Sequence, residues 1–153
     1  MEATTKLKSL PQDRFVDVPV RVRYAETDRM GIAYHANYFV WFEMGRTEVC
    51  RAAGVVYKEL EESGYLLMVA DLGARYLAPA LYDDELLIRT RIGEMGSRTI
   101  RFEYELRRGT TLVATGFTRH LYCSNATRRS VRAPEEIRKR FELFAGFEAA
   151  ARF

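Results

Sequence analysis

Residues 37–53 form the segment that most restricts how this chain can fold. Written as a helix, the segment has apolar side chains on nearly every side, and its polar members are few. A helix that is apolar almost all round is typical of a protein interior. Gly54 is suited to end this helix, and Asn37 or a close neighbour could cap its start. Other elements of the chain must therefore enclose a long central helix.

Five strand-like segments are available to enclose that helix. In residues 16–24, apolar side chains occupy every second position, as in a strand. This segment includes Pro19, which favours a place near the edge of a sheet. Residues 99–108 alternate strictly between apolar and charged side chains, as in an antiparallel sheet with one face in water. The other three segments are residues 66–76, 85–95 and 111–124. This order of elements predicts an α+β fold in which a curved antiparallel sheet wraps around one long buried helix.

Finer features follow from local residue types. We expect the strand at 66–76 to bend around Gly73. A short polar helix is predicted over 57–63, and a last helix over 135–144 with Pro134 at its first position.

One domain accounts for the length of 153 residues. We place it at residues 16–145, between short tails at 1–15 and 146–153. The first fifteen residues are polar and lack the apolar core of a secretory signal. No apolar run reaches membrane-spanning length. These features predict a cytoplasmic protein that does not insert into a membrane.

Charge and cysteine content exclude several function classes. The net charge is only +3, and the basic residues are spread along the chain, so we expect no nucleic-acid partner. Cys50 and Cys123 are far apart and lack a CxxC partner, which predicts buried free thiols. Two histidines without ligand spacing predict no metal site.

A motif between the first strand and the long helix carries the chemistry. It consists of Asp28, Gly31, His35, Asn37 and Tyr38, continued by Trp41-Phe42-Glu43 and Arg46-Thr47-Glu48. The pattern resembles the 4-hydroxybenzoyl-CoA thioesterase family, and within it the short-chain acyl-CoA thioesterase branch associated with the Tol-Pal system. The resemblance covers residues 18–141 and implies the hotdog fold, in which the sheet is the bun and the helix the sausage.

Thioester hydrolysis needs a group that attacks or activates water, and a site for the oxyanion that forms. A carboxylate can do the first as a nucleophile or as a general base. The N–H groups at a helix N-terminus can do the second. The resemblance implies that Asp28 is the catalytic carboxylate and that the backbone N–H of His35 binds the oxyanion. Taken alone, Asp28 could instead shape the loop or cap the helix.

Other residues are candidates for binding substrate. Asn37 and Tyr38 could orient Asp28 or line the acyl pocket, although capping and core packing explain them equally well. Arginine side chains suit the phosphates of coenzyme A, but they could also be ordinary surface charges. The pocket candidates are Tyr34, Asn37, Tyr38, Trp41, Met68 and Tyr76, and the CoA candidates are Ser97, Arg98, Thr127, Arg128, Arg129 and Arg132.

Glu43 and Glu48 lie on the long helix, where a buried carboxylate is costly unless it is paired. Arg46 and Arg51 are near enough in sequence to pair with them, which favours a structural network at a subunit interface. Other hotdog thioesterases carry the catalytic glutamate on this helix, so Glu43 is a lesser catalytic candidate. His120, in the last long strand, is expected to be a structural histidine.

The resemblance implies hydrolysis of a short-chain or aromatic acyl-CoA to free acid and CoA, without a cofactor. An acyl carrier protein is a second candidate carrier of the acyl group. A homo-oligomer is implied, either a dimer or a tetramer, with active sites at the subunit interface. The alternatives are a hotdog hydratase or dehydratase, and a non-catalytic acyl-CoA-binding protein. A hydratase would need a histidine-containing loop paired with a helix carboxylate, a pattern that this sequence lacks.

Overall fold

The computed structural model describes residues 14–146, so residues 1–13 and 147–153 of the predicted tails lie outside the described residues. The first strand, β1, spans Val16–Arg21, and the central helix, α1, spans Asn37–Ala52. The later elements are α2 (Tyr57–Glu62), β2 (Tyr65–Tyr76), β3 (Glu85–Met95), β4 (Thr99–Arg108), β5 (Thr111–Ser124) and α3 (Glu135–Ala145). Between residues 14 and 146, no helix is both long enough and apolar enough to cross a membrane.

The five strands form one sheet in the order β1-β3-β4-β5-β2, and every neighbouring pair is antiparallel. This order leaves β1 and β2 as the two edges. Helix α1 lies against the sheet, where it contacts β1, β3 and β4. The buried residues of helix and sheet form one continuous core. The predicted α+β hotdog architecture is therefore confirmed.

Strand β4 shows why its alternating sequence forms this sheet. Its apolar residues Phe102 and Leu106 are fully buried against the core, while the charged residues between them are only partly buried. On the outer face, Glu103 accepts hydrogen bonds from Arg91 of β3 at 2.7 and 3.0 Å. Opposite charges on neighbouring strands thus support the register that the core selects.

The helix comes close to the sheet at two small residues. The Phe42 ring stacks on Tyr104, with ring centroids 4.5 Å apart, and a Cβ at Gly116 would lie 2.4 Å from that Phe42 ring. One turn further on, a Cβ at Gly45 would lie 2.1 Å from Thr90 Oγ1 on β3. Glycine at 45 therefore permits the close approach of helix and strand.

Gly45→Ala is expected to lower the free energy of unfolding by about 1–2 kcal/mol, because overpacking outweighs the helix propensity of alanine. Chemical denaturation measures this difference. Thr90→Ala removes the oxygen that the new methyl group would meet. The double variant should therefore lose less stability than the sum of the two single variants, and simple additivity would contradict the proposed clash.

One side of α1 is exposed in the single chain, which the prediction of a helix enclosed on every side did not anticipate. Val40 and Met44 are 50% and 40% exposed, and with Glu43 they line a groove of about 310 Å³. The expectation that Glu43 and Glu48 lie inside the core is wrong, since Glu43 is exposed and the Glu48 side chain is 39% exposed. Glu48 pairs with Arg51 near the helix end, one of the pairings that the sequence predicted.

Some local details of the strands and helices differ from the prediction. Strand β1 ends at Arg21, because Tyr24–Glu26 form a 3-10 turn that starts the next loop. In β2 the register with β5 shifts between Val69 and Asp71, whereas the pairing continues without a shift through Gly73. Pro134 precedes α3 as its N-cap and is not its first helical residue.

One histidine and two cysteines are buried in the core. His120 is fully buried, and its Nε2 lies 2.9 Å from Thr118 Oγ1, as expected for a structural histidine. Burial, and then the charge of Arg46, lower the pKa of His120 to about 4, so the ring is neutral at pH 7. Cys50 and Cys123 are buried free thiols, as predicted. Burial raises the pKa of Cys50 to about 12.

Candidate active site

The segment between β1 and α1 folds as a small hairpin. Three pairs connect its two arms: Glu26 with Tyr34, Thr27 with Ala33, and Asp28 with Ile32. Gly31 closes the turn at φ = 76°, a left-handed conformation that glycine adopts readily. The returning arm is fixed to the segment before β3, because the Ala33 N–H donates to the Ala80 carbonyl at 2.8 Å. The hairpin places Asp28 near its tip and leads directly into α1.

The Asp28 carboxylate has one engaged oxygen and one available oxygen. Oδ1 accepts a hydrogen bond from the Met30 N–H at 2.8 Å, so this side chain does shape its loop. Oδ2 makes no hydrogen bond to any residue from 14 to 146. The loop-shaping explanation and the catalytic one are therefore compatible, since each uses a different oxygen.

A tight turn over residues 34–37 presents two backbone donors at the start of α1. The Asn37 N–H closes the turn by donating to the Tyr34 carbonyl at 3.0 Å. Within the described part of the chain, the N–H groups of His35 and Ala36 have no acceptor. Of the two capping options, the structure has the close neighbour: Ala36 is the N-cap residue, it contributes no side-chain hydrogen bond, and Asn37 is the first helical residue.

Glu26 holds the hairpin and the helix together, a role that the sequence analysis missed. Its carboxylate is 5% exposed and accepts hydrogen bonds from the Trp41 indole at 2.9 Å and the Arg23 N–H at 2.8 Å. Its backbone carbonyl accepts from the Tyr34 N–H and from the Asn37 side-chain amide, both at 2.8 Å. Burial alone would raise the pKa of Glu26, but these donors and the charge of Arg23 hold that pKa below its ordinary value.

Aromatic side chains surround the 34–37 turn. Tyr38 and Trp41 are buried and pack on each other with ring centroids 5.0 Å apart. Tyr76, from the end of β2, packs edge-on against Tyr38 at 4.8 Å and donates a hydrogen bond to the His35 carbonyl at 2.8 Å. Tyr34 is 45% exposed beside the His35 ring. The predicted pocket residues on the motif thus lie near the candidate oxyanion donors.

The CoA candidates lie elsewhere in the single chain. Ser97 and Arg98 form the turn after β3, whereas the Asp28 hairpin contacts the segment before β3. An 11-residue strand of roughly 35 Å separates these two ends. Glu43 does not join the Asp28 hairpin either, since it lies on the exposed side of α1.

Basic side chains gather around the Ser97–Arg98 turn. Arg98 donates to the Ser130 carbonyl at 3.0 Å, which ties the turn to the segment after β5. Arg132 and Ser97 line a groove of about 500 Å³ between this turn and α3. Arg128 has a left-handed backbone, with φ = 59°, and is exposed, as is Arg129.

No metal site is assembled by the described residues. Among residues 14–146, no three His, Cys, Asp or Glu side chains are grouped so that they could hold a metal ion.

A sheet wrapped around one long helix, with a carboxylate hairpin at the helix start, defines a hotdog-fold protein. Comparison with known proteins identifies the group more closely. Residues 22–141 match the thioesterase-like superfamily. This chain therefore belongs to that superfamily.

Individual relatives agree with this assignment. The chain is 32% identical to the acyl-CoA thioesterase YbgC of Haemophilus influenzae over 130 residues, 84% of this chain and 96% of that protein. It is 43% identical to YneP of Bacillus subtilis over 82 residues, 53% of this chain and 59% of that protein. The crystal structure of the hypothetical protein TT1821 from Thermus thermophilus superposes with a TM-score of 0.80 at 37% identity, covering 84% of this chain and 98% of that one.

Proposed function

We propose that this chain is an acyl-CoA thioesterase, in which Asp28 is the catalytic carboxylate and the backbone N–H groups of His35 and Ala36 stabilise the oxyanion. One observation carries the proposal. The hairpin joins a carboxylate and two N–H donors, and among residues 14–146 one carboxylate oxygen and both donors have no hydrogen-bond partner. Membership in the thioesterase-like superfamily supports thioester hydrolysis as the reaction.

Two routes of hydrolysis use the same residues. As a nucleophile, Asp28 attacks the thioester carbon, the carbonyl oxygen becomes the oxyanion, and its collapse expels CoA thiolate and leaves a mixed anhydride that water hydrolyses. As a general base, Asp28 removes a proton from a water molecule that attacks the same carbon. In both routes, negative charge develops on the carbonyl oxygen of the thioester. The two N–H groups and the dipole of α1 stabilise this charge.

The acyl group would lie near the aromatic side chains around the turn. Tyr34 and Tyr76 are accessible there, while Tyr38 and Trp41 form the buried wall behind them. Asn37 supports the turn through its bond to Glu26. This lining suits a short aliphatic or an aromatic acyl group, carried by CoA or by an acyl carrier protein.

Coenzyme A phosphates are assigned to the basic turn that contains Ser97 and Arg98, with Arg132 beside it. These residues and Asp28 lie at opposite ends of the sheet in one chain. A complete site of this kind therefore requires a second subunit. Arg98 of the partner subunit would then lie beside Asp28 and bind a phosphate of the bound CoA.

Strand β2 is suited to bring that second subunit into place. It is a 12-residue edge strand, and Met68, Val69 and Leu72 on it are 45–50% exposed. A long apolar edge of this kind favours pairing with another strand. Antiparallel pairing of two β2 strands about a two-fold axis brings opposite ends of the two sheets together. The proposed unit is therefore a homodimer or a tetramer built from such dimers.

The proposed location is the cytoplasm, because buried free thiols suit its reducing conditions.

The test is a thiol-release assay with short-chain acyl-CoA, aromatic acyl-CoA and acyl carrier protein substrates. We expect free thiol from at least one acyl-CoA, and sedimentation of the wild-type protein as a dimer or larger. Hydration of an enoyl-CoA without thiol release would favour a hydratase and contradict the proposal. Binding of acyl-CoA with neither reaction would favour a non-catalytic binding protein.

A further inference from the structure

We propose that the hydroxyl group of Tyr76 is a positioning group for the oxyanion site and acts through the His35 carbonyl. This inference rests on the proposed function, because it concerns the same two backbone donors. It assigns to β2 a role in the reaction that is separate from its place at the sheet edge.

The hydrogen bond joins two distant parts of the chain. Tyr76 Oη donates to the His35 carbonyl oxygen at 2.8 Å, across 41 positions of sequence. Among the described residues, the other donor to that oxygen is the Tyr38 N–H, which is 3.4 Å away. The tyrosine hydroxyl is therefore the closer of the two groups that fix the orientation of this peptide.

The orientation of the peptide matters because its other end is one of the proposed oxyanion donors. The His35 carbonyl and the Ala36 N–H belong to the same peptide group, so a bond that fixes one also fixes the other. Donation to a carbonyl also polarises its peptide and strengthens the N–H as a donor. The neighbouring peptide has the same arrangement, since the Tyr34 carbonyl accepts the Asn37 N–H and the His35 N–H donates to no residue of the described part of the chain.

The surroundings of Tyr76 keep its hydroxyl in place as a donor. Its ring packs edge-on against Tyr38, with an interplanar angle of 83°, and similarly against the His35 ring at 6.5 Å. Partial burial raises the pKa of Tyr76, so the hydroxyl keeps its proton at neutral pH. Removing the hydroxyl alone should leave the ring contacts intact.

Tyr76→Phe is the variant that tests this proposal. We expect kcat for acyl-CoA hydrolysis to fall roughly 3- to 10-fold, the value of one hydrogen bond, while KM stays within about twofold. A wild-type kcat in this variant would overturn the proposal. A raised KM with unchanged kcat would also overturn it, because Tyr76 would then be a substrate contact only.

Tyr57→Phe is the matched control. The Tyr57 hydroxyl donates to a backbone carbonyl of β2 at 3.5 Å, and Tyr57 is not part of the proposed site. The control variant should keep wild-type kcat and KM, and an equal fall in both variants would overturn the positioning role.

A second measurement does not depend on catalysis. In NMR spectra, Tyr76→Phe should shift the signals of the His35 carbonyl carbon and the Ala36 amide proton, while Tyr57→Phe should change neither. Unchanged signals would overturn the proposed contact. These signals also separate the two proposals. If they change as expected but the wild-type protein hydrolyses no acyl-CoA, the proposed function fails and the hydrogen bond stands.

Discussion

Asp28→Asn is expected to lower kcat/KM for acyl-CoA hydrolysis by roughly 1,000-fold or more, the scale seen when an essential catalytic group is removed. Asparagine has the shape of aspartate and keeps an oxygen that can accept the Met30 N–H, so the hairpin should retain its conformation. The amide cannot carry the negative charge that either attack on the thioester or activation of water requires. The measurement is thiol release under steady-state conditions.

The control for this variant is Asp83→Asn. Asp83 is an exposed loop carboxylate before β3 with φ = 68°, a conformation that asparagine also tolerates. It should keep wild-type activity, and both variants should melt within a few degrees of the wild type. Wild-type thiol release by folded Asp28→Asn protein would show that Asp28 only shapes its loop.

Local sequence patterns predicted most of the sheet, because each strand buries one face. The predicted ends of β3, β4 and β5 agree with those in the structure, and β4 has the strictly alternating sequence. Patterns failed where a distant partner decides the conformation. Tyr24 continues the alternation of β1, yet the chain turns there because Glu26 must reach the indole of Trp41.

The candidate site was predicted only in its local part. The motif placed Asp28 and His35 between strand and helix, since these residues lie seven positions apart in one loop. Glu26 is bonded to Trp41, 15 positions away, and Tyr76 is bonded to His35, 41 positions away. No local sequence pattern specifies contacts over such distances. The separation of Ser97 from Asp28 follows from the course of β3, so it required the strand topology.

Glu26→Gln is expected to lower the free energy of unfolding by about 2–3 kcal/mol and kcat by roughly 100-fold. Two donors converge on the carboxylate, the Trp41 indole and the Arg23 N–H. The glutamine side chain has one carbonyl oxygen, which replaces only one of the two carboxylate oxygens. Its NH₂ group would face the other donor and could not accept a hydrogen bond from it. The resulting shift would move the Glu26 carbonyl, which holds the turn that presents the His35 and Ala36 donors. Denaturation and thiol release measure the two effects.

Glu103→Gln is the matched control on the outer face of the sheet. Its carboxylate pairs with Arg91 near solvent, so we expect a loss below about 1 kcal/mol and no loss of activity. Adding Trp41→Phe to Glu26→Gln removes the donor that the NH₂ group would face. The two substitutions together should therefore destabilise less than their separate effects predict. Equal losses in Glu26→Gln and Glu103→Gln would contradict the structural role of Glu26.

The pH dependence of stability distinguishes the carboxylate from a merely well-packed side chain. Because the pKa of Glu26 is held below its ordinary value, this carboxyl group binds fewer protons on average in the folded protein than in the unfolded chain. Its contribution is therefore complete above the ordinary pKa of glutamate and is lost as the pH falls through the lowered one. The difference in the free energy of unfolding between the wild type and Glu26→Gln should therefore become smaller over that acidic range. A gap that stays constant with pH would mean that packing, not the charge, links the hairpin to the helix.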